Sequence, residues 1–472
     1  YFKTDIWQKW DFNFGKVDTE NVFQARDERA WIYKWPVAEI FKFLAPTEAY
    51  ARTVSALWGI LSIILIYFSA SYFTKKKEIG LVSAFLFAVS ISGIIFDRRL
   101  RMYSMFFAVF LAFSWMFFKF LEEKYAGQNK LIKLFWEKTG FNIIYFIPAA
   151  ILGAISFLTH QLTANIVFIF ILYALIQLAI IIKNKQNYIN KYSVSLIILF
   201  IGYIIAAIAL PKQLAIFTAG LRFFNSHWNY FPNALSDYSS IIVAIIFLAL
   251  GIYFLYKKEK LSKETLWLAV SFIGTIFLAA FVWNRTAGDQ YIFFIKSFGI
   301  ILIASGIYFT AEFFKENLNR FGKYSFYVPL VLALLILPDY AYFFQTDNTY
   351  KQTSESSNPS YRKIFTYFKK SKNPADVLIT RNFRNYYWSG AKVKVFDFGV
   401  DVVDQGATVE TKKLTLDQLQ NIIRENPSGW FIFSDNDEDY ISNDAVNFAE
   451  KNLERVSNSQ VRGTISVYRW GN

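Results

Sequence analysis

The stretch 95–103 holds the residues of this sequence best suited to chemistry at a membrane surface. Burying any one of its four charged side chains in the middle of a bilayer would cost roughly 2.5–3.5 kcal/mol, and burying all four would cost about 10 kcal/mol. The stretch must therefore be a turn at the membrane–water interface, between two apolar segments. A turn this basic is suited to holding an anion such as a lipid phosphate. Its charged residues are Asp97, Arg98, Arg99 and Arg101.

Other polar residues are expected on the same side of the membrane as this turn. Cations there could hold a phosphate group, and a carboxylate, Asp5 or Asp97, could remove the proton of an acceptor hydroxyl. It is equally open that these charges belong to separate outer loops and never meet. The residues expected on this side are Asp5, Asp11, Lys34, Asp97, Arg98, Arg101, His160, Arg222, His227, Arg285 and Asp289.

The composition is that of a helical membrane protein. Of the 472 residues, 54% are hydrophobic and 20% are aromatic, and long apolar runs recur between residues 51 and 344, which is typical of a polytopic helical bundle. The net charge is +14. Because Lys and Arg crowd short loops, as the positive-inside rule requires, we predict membrane lipids and no nucleic acid as partners.

The counts of cysteine and histidine limit the chemistry. The chain has no cysteine and two histidines, which excludes a disulfide, a thiolate metal site, a cysteine nucleophile and a multi-histidine metal centre. We predict no metal ligands and no required cofactor, although a divalent metal is compatible with the sequence. His160 and His227 are interpreted first as packing residues and second as catalytic ones.

Apolar segments of about 20 residues, enough to cross roughly 30 Å of hydrocarbon, predict about ten spans. Before them, residues 1–50 form a first outer loop, in which the four-residue spacing from Phe2 to Phe14 predicts an interfacial amphipathic helix and 36–44 a second one. Because the chain begins with Tyr1 on the outside, we also expect a span upstream of it. The predicted spans lie at 51–73, 80–96, 102–120, 141–159, 163–183, 192–210, 239–256, 265–283, 291–310 and 325–344.

The distribution of Lys and Arg predicts the topology. Alternate connections are basic and should be cytoplasmic, so that the first loop, the other connections and the C-terminal part lie outside. Residues 345–360 are a polar linker, and 361–472 alternate between helical and strand patterns, which predicts a compact α/β domain. The predicted cytoplasmic connections are 75–77, 124–138, 183–191, 257–263 and 315–323. The predicted elements of the domain are helices at 360–371, 415–424 and 442–456 and strands at 377–380, 392–398, 430–434 and 464–470.

At these residues the sequence resembles the GT-C glycosyltransferases, specifically the family of the dolichyl-phosphate-mannose protein mannosyltransferases and the aminoarabinose transferase that modifies lipid A. The resemblance covers the organisation of the whole chain and is concentrated in a few short motifs with a shared order. They are Tyr33-Lys34-Trp35-Pro36, Ala51-Arg52 leading into Leu57, Arg101-Met102-Tyr103-Ser104, Phe157-Leu158-Thr159-His160, Arg285 with Asp289-Gln290-Tyr291, and Asn373-Pro374-Ala375-Asp376-Val377-Leu378.

The resemblance implies an all-α membrane bundle of GT-C type with a C-terminal extracytoplasmic α/β domain. It also implies a plasma-membrane enzyme that moves a sugar, with inversion, from a polyprenyl-phosphate donor to a hydroxyl of a protein or glycolipid acceptor. Lys34 would contact the lipid phosphate. The residues that would join it there are Arg98, Arg101, Tyr103 and Arg285, and those that would contact other parts of the substrates are His160, Arg222, His227 and Tyr291.

One motif of the family is displaced. The family has an Asp-Glu pair at the start of its first outer helix, and the Asp is its general base. Asp27-Glu28 is such a pair, but it lies only six residues before Lys34 (34 − 28 = 6). The family's spacing would place the pair at or before Tyr1, which leaves Asp5 as the nearest substitute.

Two other functions compete with the transferase. A transporter or lipid flippase would place ionisable residues near mid-bilayer, often in repeated halves. Here Lys296 is the clearest such residue, and no repeat is apparent. The third interpretation is a membrane scaffold without enzymatic activity, whose outer domain binds a partner.

Overall fold

The computed structural model describes most of the chain and divides it into two compact units. One unit is Arg29–Tyr340, and the other includes Ala341–Asn472. The described residues are 10–11, 16–17, 30–45, 47–218, 220–284, 288–317, 322, 324–344, 359–381, 385, 389–391, 393–398, 400–404, 407–458, 460–461 and 463–471.

The first unit is built of helices, with a short 3₁₀ or π turn at several of their junctions. Apolar sequence forms them because a helix satisfies all of its own backbone hydrogen bonds within one segment. In chain order they are α1 (Trp31–Phe43), α2 (Glu48–Thr74), α3 (Lys77–Ala88), α4 (Ile91–Asp97), α5 (Tyr103–Glu122), α6 (Lys130–Thr139), α7 (Phe146–Thr159), α8 (Asn165–Lys183), α9 (Lys191–Ala209), α10 (Pro211–Thr218), α11 (Tyr230–Ala234), α12 (Ile241–Lys257), α13 (Ser262–Ala269), α14 (Thr275–Phe281), α15 (Asp289–Ile292), α16 (Lys296–Asn317) and α17 (Tyr324–Ile336).

The predicted polytopic bundle is confirmed. Within the described residues, six helical segments are long and apolar enough to cross a membrane. Two bent pairs, α3 with α4 at 63° and α6 with α7 at 98°, would bring the number to eight. The shorter apolar helices α12 and α17 correspond to the remaining predicted spans.

The helix α16 lies in the interior of this unit, where its membrane-crossing window is completely buried. It packs closely against α12 because both helices carry a glycine at the contact. A Cβ on Gly251 would overlap the carbonyl oxygen of Leu302, and a Cβ on Gly306 would overlap that of Phe247. Small residues at such positions let two helix backbones approach closely in a membrane.

Gly306→Ala is therefore expected to destabilise the bundle by about 1–3 kcal/mol, because backbone atoms would have to move to admit the new methyl group. The matched control is Gly202→Ala in α9, since a Cβ there would meet nothing within 4 Å. That control should change the stability by no more than about 1 kcal/mol, in the stabilising direction. Thermal unfolding in detergent measures both. Equal midpoints for the two variants would contradict the close packing of α12 on α16.

Ion pairs join the connections that were predicted to be cytoplasmic. Glu122, at the end of α5, pairs with Lys191 at 3.0 Å and with Lys263 at 2.6 Å. Lys76 lies 3.4 Å from Glu259, and Lys258 lies 3.2 Å from Glu312. The basic connections therefore meet at one end of the bundle. The turn between α4 and α5 begins at the other end of α5, so it lies at the opposite end of the bundle.

The first outer loop differs from its prediction at the described positions. Trp10–Asp11 pairs antiparallel with Lys16–Val17 as two short strands, β1 and β2. The predicted helix therefore does not include Trp10 and Asp11. A four-residue spacing of apolar side chains also fits one face of an extended strand, whose period is two. The second predicted helix is present as α1.

The second unit contains the predicted α/β pattern in its described residues. Its five-stranded sheet has the order β4-β3-β7-β9-β8, parallel between the first three strands and antiparallel after them. The side chains of Thr415 and Gln418 form the predicted capping box. A hairpin of β5 with β6 and the strand β8 were not predicted. The elements are α18 (Ala341–Phe344), α19 (Tyr361–Ser371), β3 (Val377–Ile379), β4 (Val395–Phe396), β5 (Val400–Asp404), β6 (Ala407–Lys412), α20 (Leu416–Glu425), β7 (Gly429–Ser434), α21 (Asn443–Asn452), β8 (Glu454–Arg455) and β9 (Ile465–Trp470).

Candidate active site

The basic stretch is a turn between two helices, as predicted. Ser90 caps the start of α4 by accepting a hydrogen bond from the backbone of Gly93 at 3.0 Å. The turn is fixed where Ser104 donates to the carbonyl oxygen of Phe96 at 2.9 Å. Arg99 lies over the ring of Phe96, 5.3 Å from its centroid. The short helix α4 thus ends in a defined loop that presents its arginines to solvent.

Two arginines of this turn, Arg99 and Arg101, are exposed to solvent and could reach an anion. Arg98 is half-buried. No ion pair joins Arg99 or Arg101 to any residue in the part of the chain that the structure describes. Adjacent cations without a neutralising carboxylate create a positive potential, which favours a phosphate group over a neutral ligand.

The helix α1 is tied to this turn through Tyr33. Its side chain is 4% exposed, and its hydroxyl lies 2.6 Å from the hydroxyl of Ser55 in α2. Ser55 in turn donates to the carbonyl oxygen of Arg99 at 2.7 Å, so Tyr33 is the donor to Ser55. Burial raises the pKa of Tyr33 above its ordinary value.

This contact brings two predicted phosphate ligands to the same region. Lys34 follows Tyr33 in α1 and is half-buried. Tyr33 reaches the backbone of Arg99 through Ser55, so Lys34 belongs to the helical turn that packs near the basic turn. Its role as a phosphate ligand stays a prediction.

Asp97, the last residue of α4, packs against α2. Its carboxylate lies directly over Gly59, because a Cβ on Gly59 would overlap it. The Asp97 Oδ1 atom is buried, with no hydrogen-bond partner among the described residues. This position gives Asp97 a packing role, and its catalytic role stays a prediction.

Gly59→Ala is expected to destabilise the protein by about 1–3 kcal/mol, because the added methyl group displaces the Asp97 carboxylate. Removing that carboxylate as well, in Gly59→Ala/Asp97→Ala, should restore most of the loss, and unfolding of the two single variants and the double variant measures the coupling. Strictly additive effects of the two substitutions would contradict the contact.

His160 and Tyr103 lie next to each other. Tyr103 is the first residue of α5, and its ring centroid lies 5.7 Å from that of His160. Phe106 lies on the same imidazole at 5.1 Å. The His160 Nδ1 atom accepts a hydrogen bond from the backbone of Leu162 at 3.1 Å. The ring therefore packs on α5 and closes the tight turn between α7 and α8.

A buried ion pair lies near the same end of the bundle. Lys296, at the start of α16, donates to Asp237 at 2.9 Å, to Ser92 at 2.6 Å and to Ser236 at 3.1 Å. The backbone of Ser92 donates to the other carboxylate oxygen of Asp237 at 2.7 Å. Burial would raise the pKa of the Asp237 carboxyl, but Lys296 and Ser92 together lower it below its ordinary value.

An open cavity of about 320 Å³ lies between α4 and the start of α15. Two of its lining residues, Ser92 and Ser236, are those that hold Lys296, and Arg99 connects it to the basic turn. The lining residues are Ile91, Ser92, Ile95, Phe96, Arg99, Ser236, Asp289 and Gln290.

The other predicted site residues are more dispersed. Arg222 is exposed, and its backbone donates to Val282 at 2.6 Å. His227 is half-buried, and its Nε2 atom has no hydrogen-bond partner among the described residues. Tyr291 is half-buried in α15, directly after the cavity residue Gln290. Asp5 and Arg285 lie outside the described residues.

Solved structures similar to this chain identify its fold, whereas no family model and no curated protein matches it. The oligosaccharyltransferase of Archaeoglobus fulgidus in the apo form matches with a TM-score of 0.54 and 11% identity, over 91% of this chain and 63% of that chain. The same enzyme tethered with an acceptor peptide that contains the NVT sequon matches at 0.52 and 11%, over 92% and 63%. ArnT from Cupriavidus metallidurans bound to undecaprenyl phosphate matches at 0.50 and 11%, over 94% and 88%.

Both enzymes are GT-C proteins. The chain has a GT-C fold. The predicted fold class is thereby confirmed: this is a membrane-embedded helical bundle with a small C-terminal sheet domain. The chain spans less than two thirds of the length of the oligosaccharyltransferase and most of the length of ArnT.

Several residues at the site of this GT-C fold were missed by sequence reasoning. Ser92, Ser236, Asp237 and Gln290 carried no motif signal. One signal was available, because Lys296 is a charge inside an apolar span and such a charge requires a partner. Its partner Asp237 lies 59 residues earlier in the chain, so spacing alone could not identify it. Within the described residues, no group of three or more His, Asp or Glu could hold a metal ion.

Proposed function

We propose that this protein is a glycosyltransferase that moves a sugar from a polyprenyl-phosphate donor to an acceptor hydroxyl, with inversion. The observation that carries the proposal is the contact of Tyr33 with Ser55 and with the backbone of the basic turn. It joins α1, the helix that carries Lys34, to the basic turn, which supports a phosphate site formed by Lys34, Arg99 and Arg101. The ArnT structure with the same fold holds undecaprenyl phosphate, which supports a lipid phosphate as the anion.

The donor would enter from the membrane with its phosphate at Lys34 and Arg101, with Arg98, Tyr103 and Arg285 as further ligands. As the bond between the sugar and the phosphate breaks, negative charge grows on the leaving phosphate. Fixed cations at that position stabilise the charge more in the transition state than in the ground state. His160, Arg222, His227 and Tyr291 stay candidates for contacts with other parts of the substrates.

Inversion requires a base on the face of the sugar opposite the phosphate. A carboxylate there removes the proton of the acceptor hydroxyl as the oxygen attacks the sugar. Asp289 is a carboxylate that lines the cavity next to the basic turn. We therefore add it to Asp5 and Asp97 as a candidate base, and we prefer it to Asp97, whose carboxylate packs against Gly59.

Asp289→Asn is expected to lower kcat by about 10²–10⁴-fold with little change in KM, because the amide cannot accept the proton. Asp5→Asn is the matched comparison and should keep most of the activity. Initial rates with a polyprenyl-phosphate sugar measure both. The reverse pattern would assign the base to Asp5 instead.

The membrane arrangement follows from the two ends of the bundle. The basic connections meet at one end, which the positive-inside rule assigns to the cytoplasm. The site lies at the other end, so we place it and the C-terminal domain on the outer face of a plasma membrane. The acceptor there would be a protein or a glycolipid, and the chemistry needs neither a nucleotide sugar nor a metal.

The alternative of a transporter or flippase receives no support from Lys296. Its ammonium group has three donors, and three acceptors, Asp237, Ser92 and Ser236, occupy them. These hydrogen bonds account for the charge in the apolar span without a transport role.

A transfer assay tests the proposal. Purified full-length protein in lipid nanodiscs is mixed with a radiolabelled polyprenyl-phosphate hexose and membrane extracts as the source of acceptor. The proposal predicts loss of label from the donor and its appearance in a protein or glycolipid fraction. A donor that is carried across the bilayer without cleavage of its sugar–phosphate bond would support the flippase instead.

A further inference from the structure

We propose that the cavity between α4 and α15 binds one uncharged sugar ring, the ring that is transferred. This inference rests on the proposed function and assigns a second part of the donor to a defined place. The lipid phosphate would lie on the basic turn, and Arg99 belongs to both regions because it lines the cavity and follows α4 into the turn.

The charges around the cavity balance, whereas those of the basic turn do not. Arg99 and Asp289 lie on its lining, with one charge of each sign. Beneath Ser92 and Ser236, Lys296 and Asp237 form an ion pair, which adds no net charge. A phosphate gains little electrostatic binding free energy in such an environment, since repulsion by the two carboxylates offsets its attraction to the cations. A neutral group with many hydroxyls is not repelled by the carboxylates.

The lining also has the polarity of a sugar. Serine hydroxyls, the Gln290 amide and the charged groups supply hydrogen-bond donors and acceptors. The rest of the wall is apolar and includes the ring of Phe96. A pyranose has hydroxyls around its edge and C–H groups on its faces, so it matches a cavity lined by both polar and apolar residues. A lipid tail would leave the polar lining residues without partners, which costs free energy.

The polar floor is held in place before any ligand binds. Lys296 contacts both serine side chains, and Ser236 also donates to the carbonyl oxygen of Asn233 at 2.9 Å. Lys296 is 3% exposed and Asp237 is 5% exposed, so neither can turn toward solvent. Because these side chains are already fixed, they lose less conformational entropy on ligand binding than mobile side chains would.

The volume limits the ligand. Pockets for small molecules in proteins span roughly 300–1,000 Å³, and this cavity, at about 320 Å³, lies at the lower end. We therefore expect it to hold a single ring, with any further sugar of an oligosaccharide outside the cavity.

Binding measurements on the full chain in nanodiscs test the inference. The probes are undecaprenyl phosphate, its hexose-linked form and its disaccharide-linked form. Wild-type protein should bind the hexose-linked lipid about tenfold or more tighter than undecaprenyl phosphate, as a few added hydrogen bonds would give. The disaccharide-linked lipid should not bind more tightly than the hexose-linked one. Ile95→Trp, which fills the cavity, and Gln290→Leu should both remove the tenfold difference and leave the affinity for undecaprenyl phosphate unchanged.

The control is Gln161→Leu, at an exposed glutamine that does not line the cavity, which should keep the difference. Equal wild-type affinities for undecaprenyl phosphate and its hexose-linked form, or a difference that persists in both cavity variants, would overturn the sugar site while leaving the proposed function standing. Tighter binding of the disaccharide-linked lipid would overturn the limit to one ring. Failure of the wild type to bind any of the three lipids would refute the proposed function and this inference together.

Discussion

Lys34→Ala is expected to lower the rate of sugar transfer by about 10²–10³-fold, the usual cost of removing one group that stabilises a developing negative charge. Lys34 belongs to the turn of α1 that packs on Ser55 and, through it, reaches the backbone of Arg99. Losing it would leave the phosphate with the arginines alone. Because Tyr33 keeps α1 in place, the protein should still fold, and its thermal midpoint should stay close to that of the wild type.

The matched control is Lys42→Ala, on the same helix. Lys42 pairs with Glu39 at 2.9 Å on the surface, and surface pairs of this kind contribute about 0–1 kcal/mol. Both the activity and the stability of this variant should resemble those of the wild type. Equal rates for the Lys34 and Lys42 variants would remove Lys34 from the phosphate site.

Lys296→Met is expected to cause the largest loss of stability, about 3–5 kcal/mol, because it leaves the buried carboxylate of Asp237 without its cation. The double variant Asp237→Leu/Lys296→Met removes both charges and should recover much of that loss. Lys258→Met is the control, since this exposed lysine pairs with Glu312 and Glu316 at the surface. It should cost no more than about 1 kcal/mol. Thermal unfolding in detergent measures all three.

The same ion pair predicts a dependence of stability on pH. The pKa of Asp237 is lower in the folded protein than its ordinary value of 3.8. Its contribution to stability is therefore complete above that value and is lost as the pH falls through the lower, folded pKa. The difference in stability between the wild type and the double variant should shrink on acidification. A difference that grows at low pH would contradict the ion pair.

The sequence predicts the bundle well because the bilayer imposes simple rules. The length of the apolar segments and the basic connections predict the spans. The charged stretch, which cannot lie in hydrocarbon, predicts the turn at 97–101. The resemblance to the GT-C glycosyltransferases gives the fold. The helix predicted from the spacing in residues 1–50 is wrong at Trp10 and Asp11, because apolar residues four apart fit one face of a helix and one face of a strand equally.

The site itself is only partly predictable. Lys34 and Arg101 are predicted site residues because they are charged and close to apolar segments. The contact between α1 and the basic turn depends on Tyr33 and Ser55, whose hydroxyls carry no signal in the sequence. The cavity depends on Ser92 and Ser236, which Lys296 brings together from α4 and from the connection before α12. Long-range packing decides such contacts, and periodicity reports only local structure.

The position of a bound lipid phosphate tests the central claim most directly. Cryo-EM of the full chain in nanodiscs with undecaprenyl phosphate should show phosphate density between Lys34 and Arg101, at the 2.7–2.9 Å or so that charge-assisted hydrogen bonds adopt. Phosphate density elsewhere on the bundle, with Lys34 and Arg101 on separate surfaces, would contradict the account.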